Sequence, residues 1–142
     1  MRVLLLLAAC SAAQVEVSVI GAAPQAIDTT QPDANLTIRV HYLDHDGDLG
    51  NGSAEIQDCR AASLLTRLPL PAIATDQAIK DGVAIEGELD LVVAGITQVK
   101  PDPKAVCNGG TPRADQAVFC VTLIDHGGHR SAPSCTQAIA IQ

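Results

Sequence analysis

The sequence predicts an all-β protein, an immunoglobulin-like antiparallel β-sandwich of about seven strands, with an antiparallel barrel as the runner-up. Three observations predict it. Apolar and polar residues alternate with period two in several short segments, turn-rich pieces separate those segments, and no run of ten or more residues carries a helical period. Seven short strands without helical crossovers must bury their apolar faces sheet against sheet.

Val15-Glu16-Val17-Ser18-Val19 alternates strictly, and Leu36-Thr37-Ile38-Arg39-Val40-His41-Tyr42-Leu43 does so at greater length. Both read as strands with one face in the core. The next strands are Ala54 to Cys59, Ser63 to Leu70, Glu88 to Ala94, Ala117 to Ile124, and a last stretch ending Ala138-Ile139-Ala140-Ile141. Their separators include Pro24 to Asp33, Asp44 to Gly52, Pro101 to Arg113 and His126 to His129. Between Pro71 and Gly87 the pattern is weakest, and Thr75 to Lys80 is expected to make a helical turn bridging two strands.

The final hairpin can be read in register. A two-residue primed turn at Gly127-Gly128 would place His126 opposite His129, Asp125 opposite Arg130 and Cys120 opposite Cys135. Pro133 would then face Thr122 where a ladder donor is needed, so a bulge or break is expected in the last strand.

Composition sets the outer limits of function. The chain has 142 residues, 47% of them hydrophobic, and a formal charge of −7, which opposes a phosphate backbone or an anionic lipid surface as partner. Nucleic acid is therefore not expected. Aromatic residues are confined to Tyr42 and Phe119, which leaves no stacking platform for bases, sugars or cationic ligands. An enzyme is not expected either: there is no G-x-S-x-G elbow, no H-E-x-x-H, no phosphate-cradling glycine loop and no cysteine placed as a free thiolate.

The first ten residues point to a compartment. Met1-Arg2 is a positive start, Val3 to Ala9 is uninterrupted apolar, and small residues lead to Cys10, the layout of an export signal. Leu7-Ala8-Ala9-Cys10 resembles the lipobox of bacterial lipoproteins, which implies cleavage before Cys10 and a diacylglyceryl group on its thiol. The alternative is ordinary secretion with cleavage after Ala13. The expected organisation is a signal peptide over 1–9, a lipidated anchor and short tether over 10–14, and one sandwich domain over 15–142. Its place would be the bacterial cell envelope, held by lipid and facing the periplasm or the cell surface, with the membrane contacted through that anchor only and a protein partner possible at the envelope. With Cys10 lipidated, Cys59, Cys107, Cys120 and Cys135 remain, enough for two disulfides in three possible connectivities. The hairpin register favours Cys120–Cys135, leaving Cys59–Cys107 by elimination.

One constellation carries chemistry. Asp44-His45-Asp46-Gly47-Asp48-Leu49-Gly50 sets three carboxylates at alternate positions of a glycine-containing loop directly after a strong strand. Their mutual repulsion is accounted for by a hard cation, and calcium, which takes six to eight oxygen ligands, is the natural one. Asp44, Asp46, Asp48 and Glu55 match the carboxylate spacing of an EF-hand loop, although Leu49 stands where that loop needs glycine and strands stand where it needs helices. In an alternating sandwich the second and sixth strands end at the same pole. Asp125 would therefore approach the Asp44–Gly50 loop and complete the oxygen cage, unless it pairs with Arg130. The same geometry would gather His45, His126 and His129, a set suited to zinc, copper or nickel. His41, inside a strand, reads as structural.

Tyr42 to Gly50, followed downstream by Phe119 to Ser131 and by Thr136-Gln137-Ala138-Ile139-Ala140-Ile141, resembles poorly characterised bacterial lipoproteins. Those proteins pair a D-x-D-G-D-L-G loop with a late V-x-L-x-D-x-x-G hairpin and a closing T-x-x-I-x-I. The resemblance implies an immunoglobulin-like lipoprotein domain and no assigned activity. This chain departs from it in carrying His126 and His129 where such hairpins often have Arg and Asn, and in adding four cysteines. The expected function is that of an exported, lipid-anchored structural, adhesive or binding module with a calcium loop. The alternative is a periplasmic transition-metal-binding or metal-delivery protein using Zn2+ or Cu2+ at the histidines.

Overall fold

The computed structural model describes residues 15–142. It is an all-β sandwich. The signal peptide, the lipid site at Cys10 and the tether expected over 1–14 lie outside the described residues. Ten strands and one short helix follow in order: β1 (Val15–Ala23), β2 (Ala26–Ile27), β3 (Leu36–Asp44), β4 (Ser53–Asp58), β5 (Leu65–Pro69), α1 (Asp76–Lys80), β6 (Ile85–Val93), β7 (Gln116–Ala117), β8 (Phe119–Ile124), β9 (Ser134–Cys135) and β10 (Ile139–Ile141). One sheet has the order β1-β3-β6, the second β5-β4-β8-β9, and a small third sheet β2-β10-β7 closes one side.

The two larger sheets have the strand order of an immunoglobulin-like sandwich, with β1, β3 and β6 in one layer and β4, β8 and β9 in the other. All seven expected strands are present, and the extra elements are two-residue pieces. The expected Ala117–Ile124 strand divides at Val118: β7 pairs with β10 in the small sheet, while β8 pairs with β4. β1 runs further than its strict alternation because Ile20 bulges out. The register passes from Val19↔Val40 to Gly21↔Arg39, so the apolar phase changes while pairing continues to Ala23. The helical turn at Thr75 forms as expected. The Thr75 hydroxyl accepts the Ala78 amide at 3.2 Å, capping α1.

Alternation decides the core. On β3, Leu36, Ile38, Val40 and Tyr42 point inward, and on β8, Phe119, Val121 and Leu123 do the same from the facing sheet. With Ala54 and Ile56 of β4, Leu91 and Val93 of β6, and Ile139 and Ile141 of β10, they form one continuous apolar cluster. Fully burying such aliphatic side chains contributes roughly 1.5–3 kcal/mol each, before the cost of ordering the chain. A buried ion pair closes the side of the core near β4. Arg60, 2% exposed, binds Asp58 at 2.7 Å and the Thr97 carbonyl at 2.9 Å, fixing the segment after β6.

Both expected disulfides form, Cys59–Cys107 and Cys120–Cys135. The hairpin that predicted the second differs from the expected one in two compensating ways. Its loop is one residue longer: Asp125 pairs with His129, Ile124 bridges Arg130, and Gly128 takes the left-handed conformation that a three-residue loop requires. The strand then gains one residue around Pro133, so that Val121 faces Ser134 and Cys120 faces Cys135. The bulge expected from Pro133 thus restores the register that the turn had shifted. His126 does not face His129, and Asp125 does not face Arg130.

Candidate metal centre

The inward rows of β3 and β8 come from opposite sheets, and each ends in an aspartate at the same pole. Two residues beyond Tyr42 is Asp44, 0% exposed, and two beyond Leu123 is Asp125, 3% exposed. The 45–52 loop folds back over this pole because Leu49 is fully buried in the core. Its amide donates to Asp44 Oδ2 at 2.6 Å, and the Gly52 amide donates to the Leu49 carbonyl at 3.0 Å. Gly47 makes the fold-back possible. Its φ is +78°, and a Cβ there would lie 2.2 Å from the Val83 carbonyl oxygen.

The two loops meet as expected from strand direction. The His126 amide donates to the Asp48 carbonyl, and the Gly127 amide to Asp48 Oδ2, both at 2.9 Å. Asp44, Asp46, Asp48 and Asp125 each bring one carboxylate oxygen to within 4.8 Å of the others. Oxygens on opposite sides of a calcium ion lie about 4.6–5.2 Å apart, from Ca–O distances of about 2.3–2.6 Å, so one ion can reach all four. The Oδ1 atoms of Asp44, Asp46 and Asp48 are buried and have no hydrogen-bond partner.

Electrostatics make this arrangement costly without a cation. Unit charges 4.8 Å apart at an effective dielectric of about 20 repel by roughly 3.5 kcal/mol, and four carboxylates make six such pairs. Full ionisation would exceed the whole stability of a typical domain, about 5–15 kcal/mol. Proton uptake is therefore favoured at Asp44 and Asp48 in the metal-free site. Burial first, and then the adjoining Asp46 carboxyl, push Asp44 up to about 6 against the opposing Leu49 amide. Burial and the Asp46 and Asp125 carboxylates likewise raise Asp48. On the solvent side, His129 Nδ1 lies 2.9 Å from Asp125 Oδ2, and its amide donates to Asp125 Oδ1 at 2.7 Å. That hydrogen bond and the Asp125 charge raise the imidazole above its usual range.

Three expected ligands fall elsewhere. Glu55, at the twelfth position of the EF-hand spacing, lies on β4, and its carboxylate pairs with both Arg67 and Arg130. Strand register, not loop spacing, fixes its place: Glu55 faces Arg67 across β5 and Thr122 across β8. Arg130 thus belongs to Glu55, and Asp125 to the acidic cluster and His129. His45 is exposed beside Glu16, with Nε2 3.3 Å from Oε1, and His126 contributes its backbone amide. Among the described residues, the imidazoles of His45, His126 and His129 do not form one group. His129 alone joins Asp46 and Asp125. His41, expected to be structural, lies outward on β3 with Nε2 3.6 Å from Glu86. The alternating pattern missed the Leu49 amide and the Val83 carbonyl, which shape the site through backbone atoms; the glycine at position 47 was the one available sign.

No family model, curated protein or solved structure matches the chain. What defines it is a disulfide-stapled β-sandwich with a four-aspartate cluster where the two sheets meet.

Proposed function

We propose that the protein is an exported, lipid-anchored β-sandwich module whose acidic pole binds one calcium ion, and that it acts as a structural, adhesive or binding domain of the bacterial cell envelope rather than as an enzyme. The observation that carries this reading is the trio of buried, unpartnered carboxylate oxygens on Asp44, Asp46 and Asp48 beside Asp125. The four-aspartate donor set is all oxygen, which favours a hard cation. The ion would hold the 45–52 loop against the 125–129 turn and so tie the ends of the two sheets together. Two disulfides support an oxidising compartment, and the export-signal layout with Cys10 supports anchorage by lipid.

A second reading rests on one observation. A ring nitrogen of His129 joins the oxygens of Asp46 and Asp125 within 4.8 Å, a donor set open to zinc or copper. Thermal melts in chelator, millimolar calcium and micromolar zinc separate the two. A calcium-specific rise that survives His129→Ala supports the first reading, a zinc-only rise abolished by His129→Ala supports the second, and no shift with either ion refutes both.

A further inference from the structure

Both disulfides lie on the outer face of the four-stranded sheet. Cys120 of β8 faces Gln57 of β4 on one side and Cys135 of β9 on the other. Cys59 is two residues beyond Gln57, its amide still bonded to the Val118 carbonyl, and so shares that face. Cys107 is drawn back over the same face by its bond to Cys59. The two bridges touch: Cys59 Sγ lies 3.4 Å from Cys120 Sγ, and sulfurs of Cys59, Cys107 and Cys120 fall within 4.8 Å of one another. The inner members, Cys59 and Cys120, are 1% and 7% exposed, whereas Cys135 is exposed and Cys107 half-buried. An open groove of about 480 Å³ runs alongside, with Cys107, Cys120, Cys135, Leu65, Val106 and Pro133 in its wall.

Stapling a loop and a hairpin does not require the two bridges to meet. Two disulfides arranged with inner sulfurs in contact and outer sulfurs open to a groove bring an exchange pair together, because exchange proceeds by attack of a thiolate on a neighbouring disulfide sulfur, and a Cys120 thiolate released from Cys135 is free to turn about its Cα–Cβ bond into line with the Cys59–Cys107 bond.

We propose that the four cysteines form one thiol–disulfide exchange relay serving a thiol co-reactant that enters the groove at Cys135. The incoming thiolate attacks Cys135 Sγ, forming a mixed disulfide there and breaking the Cys120–Cys135 bond, whose electron pair leaves on Cys120. The Cys120 thiolate attacks Cys59 Sγ, forming Cys59–Cys120 and breaking Cys59–Cys107, so that Cys107 leaves as the thiolate. A second thiol of the co-reactant resolves the mixed disulfide and frees Cys135. In balance, two co-reactant thiols are oxidised to one disulfide, and the two protein disulfides become one, Cys59–Cys120, plus thiols at Cys107 and Cys135. The half-reduced protein keeps its buried sulfurs linked and presents its two thiols at the surface. The relay is independent of the acidic pole.

The test is to treat the oxidised, folded chain anaerobically with limiting reductant, quench in acid, alkylate, and map the linked peptides by mass spectrometry. Glutathione in one arm and a dithiol reductase in the other distinguish a small-molecule thiol from a protein partner. The expected result in at least one arm is loss of the Cys59–Cys107 and Cys120–Cys135 peptides together, gain of a Cys59–Cys120 peptide, and label on Cys107 and Cys135. Independent reduction of the two bridges in both arms, with Cys59–Cys107 intact while Cys120 and Cys135 take label, overturns the proposal. Cys135→Ser gives a second measurement without any reductant. Its unpaired Cys120 is expected to displace Cys107, so that label appears on Cys107, whereas label on Cys120 alone overturns the relay. Circular dichroism establishes that this variant is folded, and the wild-type arms decide the question where it is not.

Discussion

Replacing Asp44 by Asn separates a calcium site from an acidic turn, because the two have opposite signs in the metal-free protein. Asp44 Oδ2 accepts the Leu49 amide, which an Asn carbonyl also does, while Oδ1 is buried without a partner. An amide nitrogen in the Oδ1 position donates to the neighbouring Asp46 carboxyl and removes one charge from the cluster. A hydrogen bond to a charged group is worth about 1.5–3 kcal/mol, so Asp44→Asn is expected to be more stable than wild type in chelator at neutral pH. The pH dependence follows the same logic. Asp44 is raised from 3.8 to about 6, so the folded chain binds more protons between those values. Without calcium, its contribution is full below about pH 4 and is lost as pH rises through about 6. At about 1.4 kcal/mol per unit this amounts to some 2–3 kcal/mol. Calcium takes the place of the proton and removes the loss. Extracellular calcium modules bind with Kd of about 10⁻⁴–10⁻³ M, and at 100 times Kd the ion stabilises by about 2.7 kcal/mol. For a chain of this size that raises Tm by about 10 °C. The assay is a set of melts from pH 4 to 8, in chelator and in about 10 mM calcium, for both proteins. A wild type indifferent to calcium, or an Asp44→Asn variant less stable than wild type in chelator and equally responsive to calcium, refutes the reasoning.

Other substitutions test the remaining parts. Gly47→Ala is expected to lower Tm and weaken calcium binding in titration calorimetry, because its left-handed φ costs about 1–2 kcal/mol and its Cβ meets the Val83 carbonyl. Glu55→Gln is expected to leave the calcium response unchanged, since its carboxylate serves Arg67 and Arg130; loss of the response would return Glu55 to the site. In metal-free protein the His129 ring is expected to titrate above its usual range by NMR and to fall toward it in Asp125→Asn, because the raised value comes from that hydrogen bond and charge. The folding stability it contributes is present below the ordinary histidine range and lost as pH rises through the raised value. Removing the Cys59–Cys107 bridge, which spans 48 residues, by Cys59→Ser with Cys107→Ser is expected to cost roughly 4 kcal/mol in denaturant unfolding, since a loop of that length sets the entropy lost from the unfolded chain.

The sandwich and its acidic pole were legible because both follow from period-two alternation. Leu36 to Leu43 alternates so regularly that Asp44 falls on the inward row, and Phe119 to Ile124 carries the same phase to Asp125. What escaped the pattern is set by partners distant in sequence. Gln116-Ala117 forms a separate strand only because Ile139 and Ala140 lie beside it, and nothing local at Val118 marks the change of sheet. Glu55 matched a loop spacing, yet strand pairing governs its neighbours. Loop histidines at a shared pole are close in topology, but an imidazole is placed by its own backbone register, which left His45 beside Glu16 and His129 beside Asp125.

The antiparallel register pairs Val15 with Asp44, so the chain enters the sandwich at the acidic pole itself. In the anchored form proposed above, the stretch from Cys10 to Gln14 reaches at most about 18 Å. The site would then stand within about two Debye lengths of the headgroups, at the outer edge of the zone in which an anionic leaflet enriches divalent ions. The closer the pole lies to that surface, the more its aspartates would sample the ionic atmosphere of the bilayer as well as that of the surrounding fluid. Affinity measured on a lipid-free chain would then set a lower bound on how fully they are occupied in place.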